Sequence, residues 1–183
     1  EDLAFELDQA RLNIENRTRT SRLPWRGQFS PELVEHLIDR VCPESTRILD
    51  PFCGSGTVLY ESLQKGIDAI GAEVNPAAWH LASLASFAAL PADEKNVVLK
   101  RVRRIISDFG FWGSGAGALC EGAAFLRAVS SERDLFLRKA LAAVVLLGMG
   151  DGQELTTAAI AHGGFAVTSL LSSLHAMGAR AEC

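Results

Sequence analysis

The sequence lacks most features that would assign it to a secreted, metal-binding or membrane class. Its four cysteines, Cys42, Cys53, Cys120 and Cys183, form no C-x-x-C pair, which argues against a zinc site or a disulfide framework. The longest apolar run, residues 140–150, is too short to span a bilayer. The acidic N-terminus has no signal-peptide core. We therefore expect a cytoplasmic, reduced protein with neither a membrane nor a metal partner.

The chain also lacks the excess of positive charge that a general polyanion binder needs, since its net charge is −4. The exception is the segment from Arg11 to Arg26, which carries about +4 because it contains five arginines and only one acidic residue. This local basic arm predicts a contact with DNA phosphates through Arg17, Arg19, Arg22 and Arg26. The alternative is a solvated arm without a partner.

Proline is missing from the second half of the chain, since all six prolines lie at or before Pro91. The first half alternates helix and strand patterns, with helices predicted over 30–41, 57–65 and 75–90 and strands over 47–50 and 67–74. The second half predicts helices over 92–108, 131–147 and 153–177 and no strand after Val74. The prediction is thus an α/β fold that opens a doubly wound sheet and continues into a helix-rich second half.

Two strands are too few for a stable sheet of this kind. Three explanations stay open: the other strands lie outside this chain, a partner supplies them, or some of the helix predictions are wrong. On this pattern we divide the chain into an N-terminal arm and loop over 1–29, an α/β unit over 30–90, and a helical extension or insertion over 91–183.

A glycine-rich turn, "DPFCGSGT" over 50–57, joins the first predicted strand to a helix. Gly54 and Gly56 allow a ligand to approach the backbone, and the helix N-terminus favours an anionic group. No lysine follows Gly56, which excludes a P-loop, and Leu59 stands where a dinucleotide site would need its third glycine. Asp50 before the turn suits a ligand with a cationic amine, such as S-adenosylmethionine. A purely structural turn is the alternative.

The string "DPFCGSGT", followed by "GAEVNP" over 71–76, resembles the cofactor motifs of S-adenosylmethionine-dependent DNA amino-methyltransferases, which modify adenine N6 or cytosine N4. A second motif of that family resembles "FSPELVEHLI" over 29–38, and its position before the glycine turn matches one of the family's permuted orders. The resemblance covers about residues 17–90. It implies a partial Rossmann-like methyltransferase fold, with DNA as the substrate.

The resemblance also implies roles for individual residues. Asp50 would bind the amino group of S-adenosylmethionine, Glu73 would hold the ribose, and Val74 would lie against the adenine. Cys53 is interpreted as a small filler and not as a nucleophile, because the family transfers methyl directly to the amine. The full predicted cofactor set is Phe29, Ser30, Asp50, Pro51, Phe52, Cys53, Gly54, Ser55, Gly56, Thr57, Glu73, Val74 and Asn75.

The family's catalytic loop, [DNS]-P-P-[YFW], is absent from these 183 residues because no two prolines are adjacent. That loop accepts the amine hydrogens and stacks on the flipped base, so no catalytic residue is assigned here. The acid on the third strand that usually contacts the adenine is not identifiable either. Three explanations remain: the sequence stops before the loop, a protein partner carries the loop in a split enzyme, or the chain is a non-catalytic cofactor-fold module.

Overall fold

The computed structural model describes residues 29–42, 46–109, 122–149, 155–178 and 180–183. Within them, a small parallel sheet and its helices occupy the first half, and a group of longer helices occupies the second. The predicted N-terminal arm and loop over 1–29 lies outside the described residues except for Phe29, and Arg17, Arg19, Arg22 and Arg26 lie outside them too.

Helix α1, Pro31–Val41, begins as the sequence predicts. The Ser30 hydroxyl accepts a hydrogen bond from the Leu33 N–H at 3.2 Å, and the proline at the first helical position has no N–H that would need a partner. This cap fixes where the segment that contains the second family motif turns into a helix.

The α/β unit continues with strand β1 (Ile48–Asp50), helix α2 (Thr57–Gln64) and strand β2 (Ala69–Gly71). Helix α3 (Pro76–Ala82) follows and passes into a 3-10 helix over Ser83–Ala89, where the sequence predicts one continuous helix. Each strand has only three residues, so β2 is much shorter than the predicted 67–74. The alternation of helix and strand is nevertheless the predicted one.

The prediction that no strand follows Val74 is wrong. Strand β3, Ala181–Glu182, pairs in parallel with β2, and the sheet order is β1-β2-β3. Two contacts hold β3 in place: the Ala69 N–H donates to the Arg180 carbonyl at 2.8 Å, and the Arg180 N–H donates to the Asp68 carboxylate at 2.9 Å. The strand was missed because two residues carry too little alternation to be recognised in a sequence.

The described residues between the 3-10 helix and β3 are mostly helical. They form α4 (Ala92–Phe109), α5 (Gly122–Ser131), α6 (Leu135–Gly148) and α7 (Thr157–Leu174). Helices α4, α6 and α7 match predictions within a few residues, whereas α5 was not predicted. Because β3 returns to the sheet after these helices, the helical segment lies between two strands that are hydrogen-bonded neighbours.

Helices α6 and α7 pack closely because glycine occurs where they cross. A Cβ on Gly163 would overlap the Val144 carbonyl oxygen, and one on Gly148 would overlap the Ala159 carbonyl oxygen. Around this crossing the core is fully buried, as with Leu137, Leu141 and Leu171. Such burial supplies most of the stabilisation of a helical packing unit.

The two faces of the sheet differ. Ala69, Gly71 and Ala181 are buried on one face. On the other face, Leu49 and Ile70 stand side by side in the register and are 69% and 44% exposed. The described part of the fold is therefore a helix-rich α/β arrangement with one uncovered sheet face.

Among the described residues, no helix is long and apolar enough to cross a membrane.

Candidate cofactor site

The glycine turn between β1 and α2 is built from backbone hydrogen bonds. The Cys53 N–H donates to the Ala72 carbonyl at 3.0 Å, and the Gly56 N–H donates back to the Cys53 carbonyl at 2.8 Å. Gly54 and Gly56 have φ angles of 53° and 95°, in the left-handed region that favours glycine. The turn therefore needs glycine at both positions.

Asp50 ends β1 at the edge of this turn. One of its carboxylate oxygens accepts the Phe52 N–H at 3.1 Å, and its backbone carbonyl accepts the Ala72 N–H at 2.9 Å. No described residue donates a hydrogen bond to the other carboxylate oxygen. Asp50 therefore combines a fixed backbone with an acceptor available to a cationic group.

Glu73, just beyond β2, links the second strand to the turn. One carboxylate oxygen accepts the Gly54 N–H at 2.9 Å, and the other accepts the Asn75 N–H at 2.7 Å. The Asn75 side chain in turn caps α3 by accepting the Ala77 N–H at 2.9 Å. One acidic side chain thus connects the glycine turn to the start of the next helix, which sequence spacing alone does not predict.

Several apolar side chains are exposed near the ends of these elements. Phe52 and Val74 follow β1 and β2 and are 88% and 96% exposed, and Phe29 before α1 is 60% exposed. In contrast, the Thr57 hydroxyl at the start of α2 is buried without a hydrogen-bond partner. Exposed apolar groups and an unsatisfied buried hydroxyl together are typical of a ligand site.

Cys53 lies beneath the turn and contacts Cys183, which directly follows β3. Their sulfur atoms are 3.2 Å apart. The hydrogen bond to Cys183, together with burial, raises the pKa of the Cys53 thiol, and the same hydrogen bond lowers the pKa of Cys183. No sequence pattern indicates this pair, because 130 residues separate the two cysteines.

The structure therefore brings together most of the predicted cofactor set. Asp50 through Thr57 and Glu73 through Asn75 meet at the carboxyl ends of β1 and β2, the edge where open α/β sheets bind ligands. Phe29 and Ser30 lie at the start of α1, a helix tied to the end of α2 by ion pairs of Lys65 with Glu35 and Asp39. Among the described residues, no hydrogen bond or ion pair joins Phe29 or Ser30 directly to the turn.

Comparison with known proteins matches this part of the chain. Residues 8–83 match the model of the N6/N4 methyltransferase family, described as DNA methylase. Over residues 8–83, the chain is related to the DNA amino-methyltransferases. The matched range contains Asp50, the glycine turn, Glu73 and Asn75.

Two curated relatives agree with this assignment. The type II methyltransferase M.MjaII of Methanocaldococcus jannaschii is 37% identical over 79 residues, which cover 41% of this chain and 14% of that protein. The type II methyltransferase M.MvaI of Kocuria varians is 43% identical over 49 residues, 27% of this chain and 11% of that protein. The matches thus span only a small part of either relative. No solved structure is significantly similar to the chain.

The helical segment beyond this methylase-related region carries the second basic feature of the chain. Lys100, Arg101, Arg103 and Arg104 are all exposed on α4. Arg101 is already bound by Glu132 and Asp134 at 3.1 Å each, and Arg104 lies 4.0 Å from Asp108. This basic face of α4 is thus partly neutralised within the protein.

Arg103 borders a groove of about 570 Å³ between α4 and α7. Its guanidinium donates to the Ser172 hydroxyl at 3.2 Å, and no described carboxylate forms an ion pair with it. Phe165 on the opposite wall is 63% exposed, and Ser169 and Thr168 add hydroxyls.

Within the described residues, no group of three His, Cys, Asp or Glu side chains could hold a metal ion.

Proposed function

We propose that this chain carries the S-adenosylmethionine-binding part of a DNA methyltransferase that modifies adenine N6 or cytosine N4. The observation that carries the proposal is the contact between Glu73 and the Gly54 N–H, which joins the acid of the second strand to the glycine turn within a methylase-related segment. A Rossmann-like methyltransferase fold and a cytoplasmic setting are part of the same proposal.

The residues present suit this cofactor. The available oxygen of Asp50 is placed for the cofactor's ammonium group, and the buried Thr57 hydroxyl lacks a partner that a polar ligand would supply. Phe29, Phe52 and Val74 expose apolar surface for the cofactor's adenine and methylene groups. Pro51, Cys53, Ser55 and Gly56 complete the turn, and Ser30 and Asn75 fix the helices beside it.

Glu73 has two tasks in this proposal. Its oxygens already hold two backbone N–H groups, and each oxygen retains a lone pair for a ribose hydroxyl. It therefore orients the turn and contacts the ligand with the same carboxylate. When bound, S-adenosylmethionine supplies a methyl group on a positively charged sulfur, and this chain's residues hold that donor without themselves moving a proton.

The transfer step needs groups that accept the amine hydrogens of the target base, and the sequence has no adjacent prolines for the family's catalytic loop. We propose that this loop comes from another segment of a longer protein or from a partner chain. Pure 183-residue protein should therefore bind the cofactor and leave DNA unmethylated. Incorporation of labelled methyl into DNA by this chain alone would contradict this part of the proposal.

The uncovered sheet face favours a second candidate, one half of a split methyltransferase that acts with a protein partner. Leu49 and Ile70 are neighbouring apolar side chains on this face, and no described element covers them. A helix supplied by another chain and packed on this face would bury them. A non-catalytic cofactor-fold module is the remaining alternative, and a wild-type chain that binds no S-adenosylmethionine would favour it.

DNA contact is proposed for the helical segment and for the N-terminal arm. On α4 the cations placed for phosphate are Lys100 and Arg103, because Arg101 is held by two carboxylates. The exposed ring of Phe165 beside Arg103 adds a surface on which a base or sugar can pack. Arg17, Arg19, Arg22 and Arg26 would extend this track.

Calorimetry with S-adenosylmethionine tests the cofactor proposal. Wild type should bind, and Asp50→Ala should weaken binding by about tenfold or more, because a charge-assisted hydrogen bond to the ammonium group is lost. Asp93→Ala is the matched control, since Asp93 is an exposed acid in the first turn of α4. No binding heat from correctly folded wild type, or equal affinities for all three proteins, would overturn the assignment.

A further inference from the structure

The contact between Cys53 and Cys183 places a second kind of chemistry next to the cofactor turn. Both cysteines are free thiols, and their sulfur atoms are 3.2 Å apart. A disulfide bond has a sulfur–sulfur distance of about 2.05 Å, so the two atoms need to approach by only about 1 Å.

The fold, and not the thiols themselves, brings the pair together. Cys53 follows β1 and Cys183 follows β3, so the contact crosses β2 between them. Gly71 of β2 makes room, since a Cβ at this position would lie 2.7 Å from the Cys53 sulfur. The Arg180 contacts with Asp68 and Ala69 hold β3 beside β2 independently of either sulfur.

We propose that Cys53 and Cys183 are a reversible oxidation site, and that their disulfide disables the turn that binds S-adenosylmethionine. The second half of this inference rests on the proposed function. The first half, formation of the disulfide, does not.

A peroxide is the co-reactant for this step. The Cys183 thiolate attacks one peroxide oxygen, the O–O bond breaks, and the departing hydroxide takes up the proton that Cys183 had released and leaves as water, which gives a sulfenic acid on Cys183. The Cys53 sulfur then displaces hydroxide from that sulfenic acid, and the hydroxide leaves as water with the Cys53 proton. The two thiols together lose two electrons and two protons, and one hydrogen peroxide is reduced to two waters.

Cys183 is the more accessible member of the pair and the more readily deprotonated. It is half-buried, whereas Cys53 is 6% exposed. The hydrogen bond from the Cys53 thiol lowers the pKa of Cys183. A small oxidant therefore reaches Cys183 first, and the buried Cys53 resolves the product.

The disulfide would act on the turn through the Cys53 backbone. The Cys53 N–H and carbonyl hold the turn through Ala72 and Gly56, so a shift of the sulfur toward β3 strains both hydrogen bonds. Asp50 and Gly54, the groups proposed to face the cofactor, lie within three residues of Cys53. We expect oxidation to lower the affinity for S-adenosylmethionine about tenfold and reduction to restore it.

The test has two independent measurements on the full 183-residue chain. The first treats wild type with hydrogen peroxide and maps disulfide-linked peptides by mass spectrometry without reduction. A peptide joining Cys53 to Cys183, and a fall in free thiols from the four in the sequence by two, is the expected result. No such peptide, or a link through Cys42 or Cys120, would overturn the proposal and requires no variant.

The second measurement is calorimetry with S-adenosylmethionine before oxidation, after it, and after reduction with dithiothreitol. Cys183→Ser should bind equally well throughout, and Cys42→Ser, a matched control outside the pair, should lose affinity like wild type. A linked Cys53–Cys183 peptide with unchanged affinity would overturn the coupling to the turn. Absence of binding by reduced wild type would instead reject the proposed function and leave the disulfide result standing.

Discussion

The α/β half and the helical half of this molecule share one buried core but differ in where their exposed apolar side chains lie. Around the α6–α7 crossing, Leu137, Leu141 and Leu171 have no exposed surface. In the α/β half, Leu49 and Val74 are 69% and 96% exposed. The helical half also exposes apolar side chains, such as Phe165 and Leu135, but those of the α/β half lie on a sheet face and beside the glycine turn. Stability and ligand binding are therefore expected to depend on different halves.

The largest expected effect is on stability and comes from the helical core. Leu141→Ala should lower the free energy of unfolding by about 3 kcal/mol, because it leaves a cavity where α6 is fully buried. Leu49→Ala, its matched control on the open sheet face, should change stability by no more than about 0.5 kcal/mol. Urea denaturation measures both. Similar losses for the two variants would mean that another part of the protein covers the sheet face.

A smaller effect separates two glycines of the α/β half. Gly56→Ala should lower the free energy of unfolding by about 2 kcal/mol. Alanine disfavours a φ of 95°, and its Cβ would lie 3.0 Å from the Ala82 Cα. Gly66→Ala should lower the free energy of unfolding by only about 1 kcal/mol. The φ of Gly66 is also positive, but the space beside this residue is open. Thermal unfolding compares them, and equal losses would show that the contact with Ala82 relaxes easily.

The helical half offers a test of DNA contact that does not depend on stability. Arg103→Ala should reduce the slope of log affinity against log salt concentration for duplex DNA by about 1, since one phosphate contact is lost. Arg101→Ala should leave that slope unchanged, because Glu132 and Asp134 already hold Arg101. Fluorescence anisotropy over a salt series measures the slopes. Equal slopes for wild type and both variants would show that α4 does not contact DNA phosphates.

The smallest effect concerns His80, on α3 at the border between the halves. Burial, and secondarily the charges of Lys139 and Arg138 on α6, lower the pKa of His80 in the folded state. The contribution of neutral His80 to the stability of the fold is therefore complete above the unfolded-state pKa of about 6.5, and it declines as the pH falls below that value. His80→Gln should therefore lose less stability between pH 7.5 and 5.5 than wild type. Identical pH profiles in urea denaturation would show that His80 is not part of the border packing.

Much of the α/β half was predictable because its signals are local. Ser30 and Asn75 cap the helices that their sequences predict, and the glycine turn follows β1 as expected. The role of Glu73 in holding the Gly54 N–H was not predictable, since it depends on how β1 and β2 align. The Cys53–Cys183 contact and strand β3 were unpredictable for the same reason. Both depend on where the last few residues lie in the fold, which their own short sequence does not indicate.

The position of the helical segment between β2 and β3 has a consequence for the order of folding. Asp68 and Arg180 are neighbours in the sheet, yet 112 residues separate them in the chain. Closing so long a loop costs entropy that a two-residue strand cannot offset alone, so β3 should dock only after helices α4 to α7 have shortened the distance. The pairing of β3 with β2, and with it the cysteine contact, would then be the last part of the protein to reach its native arrangement.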